Sequence, residues 1–227
     1  MKASVDTNVI IHLYRSGCKE ILFSAFDEVL VHSFIYEVEL RKHGQDVLPE
    51  FQNDIDNGRI RIVDSDFLRN LGMQEIFDDK LRENRILYQP QDLGEVYAIS
   101  VAETLGVAAV VTDDIKQYGP HFTLMRMVDS DIIPFAFHEV LLLEFLKNSI
   151  SAQEYIEMFE AVNRCCGLNW NIVSKTTRSI KRFLSNPDID REVIWMKQYC
   201  ASYGTDFSKK SRELCSQIKR TAGLPLH

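Results

Sequence analysis

The sequence predicts an α/β fold: a three-layer α/β/α domain with a mainly parallel central sheet, followed by an all-helical C-terminal part. Through the first two thirds of the chain, short β-rich runs alternate with helix-like stretches, which is typical of βαβ units. Beyond Pro134 the pattern changes, and amphipathic helical segments take over. We therefore expect an α/β domain over residues 1–148 and a helical extension over residues 149–227.

Five strands are predicted from short β-branched and apolar runs that turn residues bound. In chain order they are Ala3–Asp6, Val29–His32, Arg59–Val63, Ala108–Thr112 and Phe122–Val128. Because helix-like stretches separate most of these runs, neighbouring strands should run parallel.

Apolar residues at helical spacing predict the helices of the first domain. They are Val9–Tyr14, Cys18–Phe26, Phe34–Lys42, Pro49–Asn57, Asp66–Arg85 and Leu93–Leu105. In the last of these, Val96, Ile99 and Ala102 fall on one face, and Gly106 is placed to end the helix.

The C-terminal part is predicted to contain helices only. The segments are Phe137–Leu146, Ala152–Asn163, 173–185, 190–202 and 208–221. Ser151 and Glu154 have the spacing of a capping box, in which each side chain bonds the other residue's backbone N–H at the start of a helix.

Composition excludes several classes of protein. With 45% hydrophobic and 26% charged residues the chain has an ordinary globular balance, and no apolar run is long enough to span a bilayer. Its five cysteines form an odd set without C-x-x-C spacing, so neither a disulfide framework nor a zinc knuckle is predicted. The first residues lead into a strand without a signal-peptide pattern, and we expect a cytoplasmic protein.

The net charge of −7 is unevenly distributed. Residues 163–227 contain 12 Lys and Arg against 5 Asp and Glu, so the C-terminal segment is basic and the rest is acidic. Lys175, Arg178, Lys181 and Arg182 form a rough stripe on one predicted helix, which could hold an RNA backbone. The alternative is a helical cap that packs on the acidic body or forms a dimer contact.

Acidic residues follow the first and fourth predicted strands. Asp6 closes the first, and Thr112, Asp113 and Asp114 close the fourth. Since ligands of open α/β sheets bind at the carboxyl ends of strands, these acids should approach one another there. Carboxylates are the ligands that Mg²⁺ and Mn²⁺ prefer, and such a site suits hydrolysis of a phosphodiester.

Two further acidic positions begin predicted helices. Glu37 and Glu39 are about 200° apart on a helix, so only one can face the site; Glu39 shares a side with Ile35 and Val38, which favours Glu39. In Asp92-Leu93-Gly94-Glu95, we interpret Asp92 as a helix cap and Glu95 as a candidate metal ligand beside the buried face.

Together these segments resemble the PIN domain, a metal-dependent nuclease fold of VapC-type toxins and RNA-processing factors. The matching segments span residues 3–135: Val5-Asp6-Thr7-Asn8-Val9-Ile10, Ser33 to Leu40, Asp92 to Gly106, and Val111-Thr112-Asp113-Asp114. The resemblance implies a sheet between helices whose acids form one Mg²⁺ or Mn²⁺ pocket that cuts RNA.

The resemblance also implies roles for individual residues. Asp6, Glu39, Glu95 and Asp114 match the catalytic acids, although many family members have Asp where this chain has Glu95. Asp6, Glu95, Asp113 and Asp114 are the candidate metal ligands, with Asp113 assisting or replacing Asp114. Asn8 and Thr112 match the polar residues that support the pocket. The six histidines are scattered, and none is assigned a role.

The predicted function is therefore that of a metal-dependent endoribonuclease. The alternative is a PIN-like scaffold without catalytic activity that binds RNA or protein. RNA is the expected partner. A protein partner such as an antitoxin and a homodimer are also compatible with the sequence, whereas a membrane is not expected.

Overall fold

A computed structural model describes residues 1–88, 93–117, 119–127, 130–185 and 190–223 of the 227-residue chain. Its sheet has five strands in the order β3-β2-β1-β4-β5, and every neighbouring pair is parallel. The strands are β1 (Lys2–Val5), β2 (Glu28–His32), β3 (Ile60–Val63), β4 (Ala109–Val111) and β5 (Ile133–Phe135). The predicted α/β class and parallel sheet are confirmed.

The helices between the strands account for the parallel order, since every connection contains at least one helix that returns the chain to the starting edge of the sheet. They are α1 (Thr7–Arg15), α2 (Glu20–Ala25), a π-helix (Ile35–Leu40), α3 (Arg41–His43), α4 (Leu48–Asp56), α5 (Ser65–Asn70), α6 (Gln74–Leu87), α7 (Leu93–Leu105) and α8 (Pro120–Arg126).

One face of the sheet forms a core with the helices that follow β3. Leu30, Val63 and Val110 project from three strands into a buried cluster with Phe77 of α6 and Ile99 of α7. Right-handed crossovers place the helices that precede β3 on the opposite face. Helices on both faces of the sheet are consistent with a three-layer α/β/α arrangement.

The fifth strand is not where the sequence predicts it. Residues 122–126 of the predicted strand Phe122–Val128 lie in α8, and Val128 lies outside the described residues. Helix α8 begins at Pro120, a residue favoured in the first turn of a helix, where its missing N–H costs nothing. The actual β5 contains Pro134, which is tolerated because β5 is an edge strand.

Helix bounds agree with the sequence best where the apolar pattern is continuous. Leu93–Leu105 and Phe137–Leu146 occur as predicted. The single predicted helix Asp66–Arg85 is instead two helices, α5 and α6, which are separated at Gly72. Gly72 has φ +68°, a left-handed conformation that glycine adopts readily and that ends a helix.

The chain divides into two compact units, Met1–Phe137 and His138–His227. The described part of the second unit is built from α9 (Phe137–Leu146), which begins at the last residue of the first unit, and from α10 (Ala152–Cys165), α11 (Ile172–Leu184), α12 (Asp190–Ser202) and α13 (Phe207–Thr221). The predicted capping box of Ser151 and Glu154 opens α10. Among the described residues, no helix has the length and apolarity required to cross a membrane.

Candidate functional site at the carboxyl ends of β1 and β4

Strands β1 and β4 lie side by side at the point where the strand order reverses. From β1 the chain moves outward to β2 and β3, whereas β4 and β5 lie on the other side. The connections leaving the two strands therefore separate at their carboxyl ends, which is where α/β sheets form a ligand-binding crevice. The Asp6 N–H donates to the Val111 carbonyl at 3.0 Å, which sets the residues after both strands at one edge.

Asp6 is the helix cap of α1 as well as a candidate ligand. Its side chain is buried, with 1% of the residue exposed, and Oδ2 accepts a hydrogen bond from the Asn8 backbone N–H at 3.4 Å. The Asn8 side chain is exposed. Asn8 therefore supports Asp6 through its backbone rather than through its amide side chain.

The first turn of α7 lies directly against Asp6 and Thr7. A Cβ added to Gly94 would lie 2.7 Å from Thr7 Oγ1 and 3.0 Å from Asp6 Oδ1. Only glycine, which has no side chain, allows α7 to lie this close to Asp6 and Thr7. Thr7 Oγ1 is buried and has no hydrogen-bond partner among the described residues, so a buried polar atom lines the crevice next to Asp6.

Glu95 follows Gly94 and points toward the end of β4. It is 2% exposed, and its Oε1 accepts a hydrogen bond from Thr112 Oγ1 at 3.2 Å. The same Thr112 oxygen accepts a bond from the Asp114 backbone N–H at 3.2 Å. Thr112 thus orients the Glu95 carboxylate and fixes the backbone that carries Asp114.

Asp113 is bonded within the protein through both carboxylate oxygens. Oδ1 accepts from the Phe137 backbone N–H at 2.8 Å, and Oδ2 lies 2.6 Å from His12 Nδ1. These bonds join the end of β4 to the start of α9 and to α1. Asp113 consequently has a structural role that the sequence did not reveal.

Asp114 faces a lysine. Its Oδ2 lies 2.7 Å from Lys116 Nζ, and Lys116 is largely exposed whereas the Asp114 side chain is largely buried. A Cβ added to Gly119 would come within 2.8 Å of Asp114 Oδ1, so the loop closes tightly over this carboxylate. Of the two acids that follow β4, Asp114 is the one paired with an exposed lysine.

Glu39 and Glu37 lie on the π-helix that follows β2. Glu39 is half-buried and Glu37 is exposed. The assumed common side of Ile35, Val38 and Glu39 does not hold, because Ile35 is fully buried and Val38 is 46% exposed. In a π-helix the backbone hydrogen bonds join residues five apart rather than four, which changes the phase of its faces, and here the buried residues are Ile35 and Leu40. The choice of Glu39 over Glu37 remains a prediction.

The remaining predicted residues lie elsewhere. Asp92 is outside the described residues. In the second unit, Arg178 and Lys181 are exposed on α11, and Lys175 lies 4.1 Å from the centre of the Trp170 ring. Arg182 does not join this surface, because it is buried between Glu139 and Glu192.

The donor set determines which cations would fit. Among the described residues, no group of three or more His, Cys, Asp and Glu side chains has a geometry that could hold a metal ion. Mg²⁺, however, is held in many proteins by only one or two carboxylates and keeps several waters. Asp6 and Glu95, with the Thr7 hydroxyl beside them, fit that smaller requirement.

Sequence reasoning missed His12, Lys116 and the two close-packed glycines. A signal for His12 existed, since it lies one helical turn after Asn8 on the helix that Asp6 caps. Gly94 and Gly119 carry no comparable signal, because their importance depends on how closely distant segments approach.

Comparison of this chain with family models, curated proteins and solved structures found no match.

Proposed function

We propose that this protein is a metal-dependent nuclease of the PIN type that hydrolyses RNA. The observation that supports the proposal is the position of Asp6 and Glu95, two buried carboxylates at the carboxyl ends of β1 and β4, where the strand order reverses. Each comes from a different element, β1 and α7, and Gly94 brings those elements into close contact. Acids gathered in this way from distant parts of the chain suit cation binding.

In this proposal Asp6 and Glu95 hold a Mg²⁺ or Mn²⁺ ion, which supplies electrostatic stabilisation of the phosphate charge. Thr112 keeps the Glu95 carboxylate oriented through its 3.2 Å hydrogen bond. Asp114 is assigned as a further ligand of that ion, and Lys116 pairs with its carboxylate. Asp113 and His12 hold the loop that carries Asp114.

The substitution Asp6→Asn tests the proposal. We expect a loss of RNA cleavage on the order of 100-fold or more, because removal of a metal ligand costs several kcal/mol of transition-state stabilisation. The free energy of unfolding should stay the same or rise, since asparagine is also a good helix cap and repulsion between buried carboxylates falls. Cleavage of labelled single-stranded RNA in Mg²⁺ and in Mn²⁺ measures the first effect, and urea unfolding the second.

Asp64→Asn is the matched control. Asp64 follows β3 and caps α5 by accepting from the Phe67 N–H at 2.7 Å, as Asp6 follows β1 and caps α1. It tests the capping role alone and should leave cleavage unchanged. If Asp6→Asn cleaves RNA as fast as the parent protein, the nuclease assignment is wrong.

A second candidate function is an RNA- or protein-binding scaffold that does not cut. The ion pair between Lys116 and Asp114 favours it, because an ammonium group there competes with a divalent cation for the same oxygen. In that case the parent protein would bind RNA without cleaving it in either metal. Lys116→Ala separates the two functions, since it should raise Mn²⁺ affinity of a nuclease and leave a scaffold unaffected.

A further inference from the structure

Four aromatic rings form a continuous run at the carboxyl end of β2. Phe77 and His32 are stacked, with ring centres 4.9 Å apart and planes 7° apart. The His32 ring lies 4.5 Å from Tyr97, and Tyr97 is stacked on Phe34 at 4.4 Å with planes 15° apart. The run leads from the buried Phe77 to the half-buried Phe34, from the core to the surface.

This aromatic run begins beside the candidate site. Strand β1 pairs with β2 so that Ser4 is opposite Leu30, and Asp6 and His32 each follow two residues after this pair. Because paired parallel strands lie about 4.8 Å apart, the run starts at the same edge of the sheet as the first acid. Tyr97 and Glu95 lie about 200° apart around α7, with Glu95 bonded to Thr112 at the end of β4 and Tyr97 against His32 of β2.

The outer end of the run has the features of a binding surface. Phe34 and Tyr97 are both partly exposed, and Tyr97 is the only aromatic ring that contacts Phe34 among the described residues. The exposed Arg85 lies beside them, with its Nη2 donating to the Tyr97 hydroxyl at 3.2 Å. An aromatic face with an adjacent guanidinium is the combination on which unpaired nucleobases stack.

His32 contributes a polar group to the run. Its Nδ1 accepts a hydrogen bond from the Phe34 backbone N–H at 3.0 Å, so the neutral ring has its proton on Nε2. Burial lowers the pKa of His32 to about 4, which keeps the ring neutral at physiological pH. A neutral imidazole stacks without the cost of a buried charge, and the Phe34 backbone is fixed by the same bond.

We propose that the Phe34–Tyr97 end of the aromatic run stacks an unpaired base of a single-stranded nucleic acid and directs the adjoining phosphate to the Asp6–Glu95 crevice. The choice of ligand rests on the proposed nuclease function. The run makes the site selective for single strands, because the bases of a duplex are already stacked on one another and present only their edges. Selection acts through shape and stacking, so it tolerates any base.

Binding of a short single-stranded RNA that contains 2-aminopurine, measured in EDTA, tests this proposal without any cleavage. We expect Phe34→Leu to weaken binding on the order of tenfold, since stacking of one base on an aromatic ring contributes about that much. The quenching of 2-aminopurine fluorescence on binding should decrease with it, and Phe34→Trp should restore both. Binding of the same sequence as a duplex should be weak and insensitive to Phe34.

The control is Phe23→Leu. Phe23 is also a half-buried phenylalanine with a guanidinium over its ring, that of Arg59 at 3.8 Å, but it borders the amino ends of β2 and β3. The proposal would be overturned by equal losses in the two variants, by a parent protein that binds no single-stranded RNA, or by unchanged RNA binding in Phe34→Leu. Binding that depends on Phe34 in a protein that cleaves no RNA with Mg²⁺ or Mn²⁺ would leave the stacking site standing and reject the nuclease function.

Discussion

Adjacent carboxylates at the end of β4 take different roles because their contacts differ. Asp113 is held at both oxygens, by the Phe137 N–H and by His12, and these bonds fix the loop after the strand. Asp114 is held at its backbone by Thr112, and its side chain meets the exposed Lys116. Asp113 therefore stabilises the structure of the loop, whereas the Asp114 carboxylate is paired with a solvent-exposed lysine.

The buried His32 makes stability depend on pH. Burial lowers the pKa of His32 to about 4, below the usual 6.5. Between these two pH values the unfolded chain binds a proton at His32, whereas the folded protein does not. The free energy of unfolding contributed by His32 is therefore complete above pH 6.5 and falls by up to about 3 kcal/mol as the pH drops toward 4.

His32→Phe keeps the aromatic contact and removes the titration, so the loss of stability from pH 7 to pH 4.5 should be smaller in the variant than in the parent. Urea unfolding across that range measures the difference. His43→Phe, at an exposed histidine, is the control and should retain the parent's pH dependence. Identical pH profiles for His32→Phe and the parent would contradict the prediction.

The local sequence was enough to select the acidic residues after β1 and β4 as site candidates, since a carboxylate that ends a buried strand needs solvent, a cap or a cation. It could not tell Asp113 from Asp114. The distinction depends on His12 and Phe137, which lie 101 and 24 residues away along the chain. Contacts over such separations leave no periodic signal in one sequence.

At the scale of elements, α7 connects the site to the core. Its buried face packs on the sheet through Val96 and Ile99, while Gly94 and Glu95 at its start border Asp6 and Thr112. The continuous apolar pattern of α7 explains why its bounds could be predicted. The π-helix after β2 could not, because its pattern also fits an ordinary α-helix with a different phase.

The local pattern is also insufficient to locate the fifth strand. Residues 122–126 are rich in β-forming side chains, yet they form α8, since a proline begins the segment and Leu124 packs into the core. The three-residue β5 contains a proline that weakens any strand prediction. Tertiary packing, rather than local propensity, decides both segments.

Gly94→Ala tests the close approach of α7 to β1. Alanine within a helix is usually more favourable than glycine by about 1 kcal/mol. Here the added Cβ would lie 2.7 Å from Thr7 Oγ1, so we expect a net loss of roughly 1–3 kcal/mol in the free energy of unfolding and weaker Mn²⁺ binding. Urea unfolding and a Mn²⁺ titration measure the two effects.

Thr7→Ala provides the control for Gly94→Ala. It removes the Oγ1 atom that meets the new methyl group, and that oxygen has no hydrogen-bond partner among the described residues. The single change should cost little, and the double variant should recover much of the stability that Gly94→Ala loses. A Gly94→Ala protein as stable as the parent would show that the helix shifts freely.

At the scale of the whole molecule, the basic residues of the second unit serve two purposes. Arg182 donates to Glu192 through Nε at 2.6 Å and to Glu139 through Nη1 at 2.8 Å, and all three side chains are buried. These neighbouring charges and hydrogen bonds raise the pKa of Arg182 and keep it charged despite burial. Arg178 and Lys181, on the same helix, remain exposed. The stripe predicted from the sequence therefore contains one structural cation, Arg182, two exposed cations, Arg178 and Lys181, and the half-buried Lys175.

This difference yields opposite expectations for variants only a few residues apart. Arg182→Ala leaves two buried carboxylates without their common cation and should lower the free energy of unfolding by about 3–5 kcal/mol. Arg178→Glu with Lys181→Glu should change stability by less than about 0.5 kcal/mol. If α11 holds an RNA backbone, the double reversal should weaken RNA binding and reduce the salt slope by about 0.7 for each phosphate of a single strand that the variant no longer neutralises.

Lys2→Glu with Arg69→Glu is the matched control for the double reversal. Both residues are exposed in the first unit, and the net charge changes by the same amount. RNA affinity and salt slope should stay near those of the parent, because a charge that does not touch the RNA acts on it only through a screened field. Equal weakening by both double reversals would mean that net charge alone governs RNA binding. Unchanged RNA binding in Arg178→Glu with Lys181→Glu, accompanied by a change in oligomer size, would instead make this face of α11 an interface between copies of the chain.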